Sequence, residues 1–380
     1  MKHNVVIIGL IPPPYSGPEI DTTNILNSMI LKNTFNLFHL NTRKHASFDQ
    51  RGSLSFKSVL RELHNMFKLS LLIIKVHPKI VYIPFCQTDI GVIRDSLFIL
   101  TSKVFRRKVV LSLPNGSYDI FYKRSKFPAY ISFLLKLADV IIVLTPSVKS
   151  QIETIISQRN SKKVRILPLD IDLPVPSSKY EEAENGYFRV LHLGHISVAK
   201  GAVDLVRAIP DIVSKVPKTK FVFAGQFINN EVNIAFLPDA HNAAKTIETF
   251  IKENGIQDYV EFIGVVDGSD KSSLLENSDV QVLASYSEGL PRAILEGMLM
   301  GTAVVVTKLD GLKQVVVDGE GGLLVDFGCP KQIAHCICRL LSDTQLRDTM
   351  GKRNRTFVEK HFDPSIRFKM LSDMFESIIE

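Results

Sequence analysis

Val280-Gln281-Val282-Leu283-Ala284-Ser285-Tyr286-Ser287-Glu288-Gly289-Leu290-Pro291-Arg292-Ala293-Ile294-Leu295-Glu296-Gly297 reads as a strand, a turn and a helix in succession. The apolar run 280–283 is short enough for a buried strand. Glu288 follows in a Gly/Pro turn, and Pro291 is well placed to open the helix. Glu296 then lies one to two turns into it. Both carboxylates are placed to flank a cleft at the strand's carboxyl end. The start of the helix, into which Gly289, Leu290 and Pro291 lead, offers free backbone amides and a positive dipole end to a diphosphate. The plain alternative is two surface glutamates on a helix that Ile294, Leu295 and Met298 would bury in any case.

The same alternation of apolar runs and amphipathic stretches extends in both directions. Around the quoted stretch, strands are expected at 190–193, 221–223, 260–263, 303–306 and 322–325, with helices near 201–214, 243–254, 291–300 and 331–342. Upstream, strands are expected at 5–8, 37–40, 80–83, 109–113, 140–144 and 164–167, with helical patterns such as 57–74 and 90–103. Strands alternating with helices at this spacing imply parallel sheets with crossover helices. Residues 173–187, with Pro174, Pro176 and an acidic patch at 181–184, interrupt the pattern as a linker. The expected organisation is an N-terminal domain at 1–172, the linker at 173–187 and a C-terminal domain at 188–362. The fold class is α/β: two Rossmann-like domains facing a central cleft, with ligands beyond the carboxyl ends of the strands. A last helical pattern covers 364–380.

The 380 residues exceed what one compact core accommodates, and 45% hydrophobic with 22% charged residues is an ordinary globular composition. Cys86, Cys329, Cys336 and Cys338 form no metal or redox spacing, which suits a reducing compartment. The apolar start at 5–9 runs into Pro12-Pro13-Pro14 and reads as a first strand rather than a signal peptide. No run reaches the ~20 apolar residues of a spanning helix, and a cytoplasmic protein is expected. There is no GxxxxGK[ST], HExxH or GxGxxG motif, which argues against ATPase, metalloprotease and dehydrogenase chemistry. Asp170-Ile171-Asp172 has a metal-diphosphate spacing but lies at the run into the linker, so no metal and no cofactor is expected.

The net charge of +7 is unevenly spread. Residues 1–172 carry 24 Lys and Arg against 11 Asp and Glu; residues 173–380 carry 22 against 28. A basic half suggests an anionic partner, either nucleic acid, an anionic membrane or a phosphorylated acceptor, with a solvated basic face as the plain alternative. No basic motif interleaved with aromatics points to nucleic acid.

The quoted stretch resembles the Glu-x7-Glu signature of family 4 glycosyltransferases, a retaining family with the GT-B fold. Other segments resemble that family in the same order. Leu193-Gly194-His195 with Lys200-Gly201 resembles its Gly-Arg and Lys-Gly segment, and Phe223-Ala224-Gly225 the Gly-ending strand after it. The segment from Val260 through Ile263 to Gly264 resembles the strand beside the nucleotide base. Gly311-Leu312 and the segment from Gly321 to Val325 resemble the later glycine segments. The loop 12–19, with Gly17, resembles the family's first loop, although Pro18 replaces the second glycine of its pair.

The resemblance implies a retaining glycosyltransferase of the bacterial surface-polysaccharide type. Its substrate would be a nucleotide-sugar donor held mainly by the C-terminal domain. A lipid-linked glycan acceptor would bind the N-terminal domain, to which about 363–380 would cross back. Lys200 would stabilise the leaving diphosphate, with Gly201 letting the next helix start close to it. Glu296 would accept from the ribose hydroxyls, and Glu288 would lie at the donor sugar's reacting face as nucleophile or support. Besides Pro18, further positions depart from the family. His195 stands where Arg is usual, Gln314 where Glu is frequent, and 114–115 lack a histidine, leaving Asn115, Gly116 and Ser117 as the sugar-facing or acceptor loop. An epimerase or hydrolase on the same frame, or a non-catalytic basic module, are the competing readings.

Residues 57–75 combine Lys57, Arg61, Lys68 and Lys75 with an apolar stripe of Leu60, Leu63, Phe67, Leu71 and Ile74 at helical spacing. The stripe is expected to pack on the sheet, as a crossover helix does. The charges, with the clusters 106–108 and 123–126, suggest peripheral binding to the anionic cytoplasmic face of an inner membrane.

Overall fold

The computed structural model describes residues 2–12, 17–42, 56–114, 116, 118–174, 186–228 and 242–380, the side chains of 56–59, 158 and 159 excepted. The chain divides into two compact units, Met1–Leu169 with Pro364–Glu380, and Asp170–Asp363. Most of the segment read as a linker lies outside the described residues.

In the first unit, six parallel strands are described: β1 (His3–Gly9), β2 (Phe35–Asn41), β3 (Ile80–Pro84), β4 (Lys108–Leu113), β5 (Val140–Val143) and β6 (Val164–Ile166). Their order is β2-β1-β3-β4-β5-β6. Helices cover both faces, so the strands are near-continuous apolar runs rather than alternating ones. In β1 alternate residues serve opposite cores. Val5 and Ile7 pack with Ile25, Leu31, Phe368, Leu371 and Phe375, whereas Val6 and Ile8 pack with Leu69, Ile73, Phe98, Leu134 and Ile152.

The last helix, Pro364–Ile379, therefore belongs to the first unit although it follows the whole second unit in sequence. Phe375 meets Phe35 and Tyr82 edge-on at 5.6 and 6.4 Å. Arg367, 2% exposed, donates to the Pro168 carbonyl at 2.7 Å and pairs with Asp21.

The helix Phe56–Val76 departs from its expected orientation. Leu69, Ile73 and Val76 face the sheet, while Leu60, Leu63, Phe67, Leu71 and Ile74 are exposed. The helix carries two apolar stripes, and spacing alone does not say which one the sheet takes.

The second unit holds β7 (Phe188–Leu193), β8 (Thr219–Ala224), β9 (Val260–Gly264), β10 (Val280–Leu283), β11 (Ala303–Thr307) and β12 (Gly322–Val325), parallel and in the order β12-β11-β10-β7-β8-β9. Each apolar run expected to be a strand forms one, in both units. Counted from β9, the order is the 3-2-1-4-5-6 of a dinucleotide-binding sheet, with the reversal between β7 and β10. The loops leaving these two neighbouring strands carry the motifs read from the sequence.

Candidate active site

The loop after β7 ends at Lys200-Gly201, where the helix Ala202–Val213 begins. Gly201 has φ +71°, and a Cβ there would collide with the carbonyl of Ala284, at the exit of β10. The two loops thus approach backbone to backbone at the point where the strand order reverses, which only glycine permits at this position. The approach brings Lys200 to Glu288, 88 residues later: Lys200 Nζ lies 2.6 Å from Glu288 Oε1. The same oxygen accepts from Ser285 Oγ at 2.9 Å, and the Ser285 carbonyl in turn accepts from Thr307 Oγ1 at 2.7 Å. Glu288 is thereby fixed from β10 and β11 as well as by the ammonium. A carboxylate with two donors on one oxygen is held in one orientation.

The helix Arg292–Leu299 follows Glu288, with Pro291 at its N-cap and Ile294, Leu295 and Met298 fully buried. Leu290 is buried beside them, and Gly289 is packed tightly enough that a Cβ on Gly311 would strike its carbonyl. Arg292 pins the start of the helix to Asp170 through the Asp170 carbonyl and carboxylate, the latter at 3.4 Å. Glu296, 5% exposed, does not face open solvent as a surface glutamate would. Its Oε1 accepts from Lys271 Nζ at 2.8 Å, and Lys271 is itself only 9% exposed.

His195 and Gly201 flank the loop after β7. Beneath it, the His192 ring is buried, with Nε2 3.2 Å from the His195 carbonyl. Burial pushes the His192 imidazole down to about 4, and the Lys200 charge acts in the same direction, so the ring is neutral near pH 7. Tyr286 donates to Asp204 at 2.8 Å, and burial together with this bond pushes its phenol up. Ile263 is half-buried on the edge strand β9, whose Phe262 ring packs at a tilt against Phe223 and Phe227, with centroids at 5.2 and 5.3 Å. Gln314 is exposed at the end of the short helix Asp310–Lys313.

The remaining residues of interest belong to the first unit. Gly17 opens the helix Gly17–Asn27. The Gly116 carbonyl accepts from Gln87 Nε2 at 2.7 Å, which ties the loop after β4 to the loop after β3. Asn115 and Ser117 lie outside the described residues.

Sequence reasoning missed Ser285, Lys271 and His192. Ser285 sits at a strand exit, three residues before Glu288, where a hydroxyl is within reach of it. Lys271 stands in the polar stretch 267–273, which carries no sign of burial. His192 sits between two leucines in the buried stretch of β7, an apolar position by pattern.

Residues 177–357 match the family described as glycosyl transferases group 1. An uncharacterised glycosyltransferase of Methanocaldococcus jannaschii is 23% identical over 335 residues, 84% of this chain and 78% of that protein. The capsular polysaccharide biosynthesis glycosyltransferase CapM of Staphylococcus aureus is 24% identical over 338 residues, covering 85% and 83%. HepE of Anabaena, solved in complex with UDP-glucose, shares the fold with a TM-score of 0.75 at 17% identity, over 98% of this chain and 99% of that one. The loops after β7 and β10, with Lys200, Glu288, Lys271 and Glu296, therefore lie within the stretch that matches the glycosyl transferases group 1 model.

Proposed function

We propose that this chain is a retaining, metal-independent hexosyltransferase of surface-polysaccharide synthesis. It moves a sugar from a nucleotide-sugar donor to a lipid-linked glycan acceptor. The observation that carries the reading is the Lys200–Glu288 pair at the strand-order reversal, 2.6 Å apart, where open α/β sheets bind nucleotides. In the transfer, the bond from the anomeric carbon to the diphosphate oxygen breaks. A bond to an acceptor hydroxyl oxygen forms, and the hydroxyl proton passes to the departing diphosphate. Lys200 and the amides at the start of the helix Arg292–Leu299 stabilise the charge that develops on the leaving group, so no metal is required. Glu288 supports the sugar's reacting face. Glu296 accepts from the ribose hydroxyls with Lys271 holding its carboxylate in place. His195 and Gly201 line the diphosphate, and Ile263 the base.

The acceptor is assigned to the first unit, with Asn115, Gly116 and Ser117 as its sugar-facing or acceptor loop, and Gly17 is assigned to the donor. HepE, solved with UDP-glucose, supports a nucleoside diphosphate sugar as donor. CapM, named for capsular polysaccharide biosynthesis, supports a glycan acceptor. The enzyme is placed in the cytoplasm, at the inner face of the membrane that carries such acceptors. Among the described residues no helix is long and apolar enough to cross it.

The test is a thermal-shift screen against nucleotide sugars and free nucleoside diphosphates, followed by product analysis with and without a lipid-linked acceptor. A bound donor raises the melting temperature by mass action, and an elongated acceptor is expected. No shift with any nucleotide would remove the donor site. A shift with free sugar or an epimer as the only product would remove transfer.

A further inference from the structure

The helix Phe56–Val76 shows solvent a second apolar face. Leu60, Leu63, Phe67, Leu71 and Ile74, at intervals of three and four residues, are 44–58% exposed. The stripe runs for about 20 Å at 1.5 Å per residue. The neighbouring helix Asp89–Val104 packs beside it and does the same: Ile93, Leu100 and Val104 are 44%, 37% and 79% exposed on one side. Both helices bury their other side in the same core of the first unit. Phe133, on the next helix of that layer (Pro128–Leu137), is also exposed. Large apolar side chains gathered on the outer side of one helical layer mark an interaction surface.

The surrounding charge identifies the occupant. Residues 56–139 carry 14 Lys and Arg against 5 Asp and Glu. Lys68 and Lys75 are exposed on the first helix, Arg106 just past the end of the second, and Lys123, Arg124 and Lys126 before the third. A second copy of the chain, docked face to face, would set this basic rim against itself. An anionic bilayer accommodates both features. Apolar side chains sink ~5–10 Å below the headgroups while lysines and arginines stay among them.

We propose that this face is a membrane-docking surface, in which Leu63, Phe67 and Leu71 insert into an anionic leaflet and Lys68 and Lys75 pair with its headgroups. The proposal gives the membrane named above a place on the protein. Vesicle binding is measured without donor or acceptor, so it fails or succeeds independently of sugar transfer.

The chain contains no tryptophan, so Phe67→Trp, at an exposed site, introduces a single reporter. Its emission is expected to shift to the blue and to be quenched by brominated lipid when phosphatidylcholine vesicles containing phosphatidylglycerol are added. Phosphatidylcholine alone is expected to leave it unchanged, and salt to reverse the shift. Adding Lys68→Gln and Lys75→Gln should weaken binding about thirtyfold, and adding Leu63→Ser and Leu71→Ser should abolish the shift while the melting temperature holds. Vesicle sedimentation with no change in emission would overturn the proposal, because another surface would then be binding. Absence of binding to either vesicle would overturn it as well. A blue shift that grows with protein concentration in the absence of lipid, accompanied by a dimer in sedimentation velocity, would assign the face to a second copy instead.

Discussion

Glu288 is held by a serine and a lysine on one oxygen, so its charge and its position are separable. Glu288→Gln keeps the shape and removes the charge. We expect a folded protein with transfer lowered by two to three orders of magnitude, the loss typical of a removed charge-stabilising group. Lys200→Ala should lower kcat similarly with little change in preference among donor sugars. Steady-state kinetics on both variants checks this, and wild-type rates would make the pair a structural ion pair.

The buried Lys271–Glu296 pair makes a different prediction. Lys271→Met strands a carboxylate in the interior and should destabilise the second unit by about 3–5 kcal/mol, whereas Lys271→Met with Glu296→Leu should recover most of that. Thermal unfolding of the two singles and the double decides it.

His192 adds a pH dependence. Its folded value of about 4 lies below the ordinary 6.5, so the unfolded chain takes up a proton first as pH falls. The stability tied to its neutral form is present above pH 6.5 and is lost through the window down to about 4, roughly 3 kcal/mol in all. His192→Gln should flatten the melting-temperature profile across that window; an unchanged slope would mean that other groups carry it.

At the scale of elements, the strands were the legible part. Runs such as Val5–Ile8 and Ala303–Val306 are apolar at every position because helices cover both sheet faces, and no exposed side blurs the pattern. The helix Phe56–Val76 was misread for the complementary reason. It has apolar residues on two sides, and periodicity locates a stripe without saying what it faces. The site was legible in its loops but not in its contacts. Glu288 and Lys200 stand out by their turns, yet nothing in the 87 intervening residues announces that they touch, and Lys271 looks like any solvent lysine. Their meeting depends on β7 and β10 being neighbours, which is a property of strand order. It also depends on Gly201. Gly201→Ala combines a left-handed φ with a collision at Ala284, so we expect a loss of about 1–3 kcal/mol and weaker nucleotide binding. Differential scanning fluorimetry with and without nucleotide reads both, and an unshifted melt would show that the loops have room to part.

At the scale of the molecule, the two units differ in how they are completed. The second is built from one continuous stretch, Asp170–Asp363, and the first from two ends of the chain. Phe375 lies at the seam, fully buried against Phe35 and Tyr82. Phe375→Ala should therefore lower the stability of the first unit by about 3–5 kcal/mol and leave nucleotide binding by the second unit in place. Calorimetry with added nucleotide checks this, since only the transition that moves with ligand belongs to the second unit. Loss of both would mean that the units unfold together.

The returning helix also sets a schedule on the ribosome. When Leu169 emerges, one side of the first sheet still lacks Phe368, Leu371 and Phe375, and Val5, Ile7 and Tyr82 are covered only in part, by Ile25, Leu31 and Phe35. At ~5–20 residues per second, the roughly 200 residues that follow keep that side open for about 10–40 seconds. The second unit can fold to completion in that interval, so the part of the protein synthesised first finishes last. A chain truncated after Asp363 should accordingly show a protease-resistant second unit beside a protease-sensitive first one, and resistance of the first unit should appear only when Pro364–Glu380 is restored.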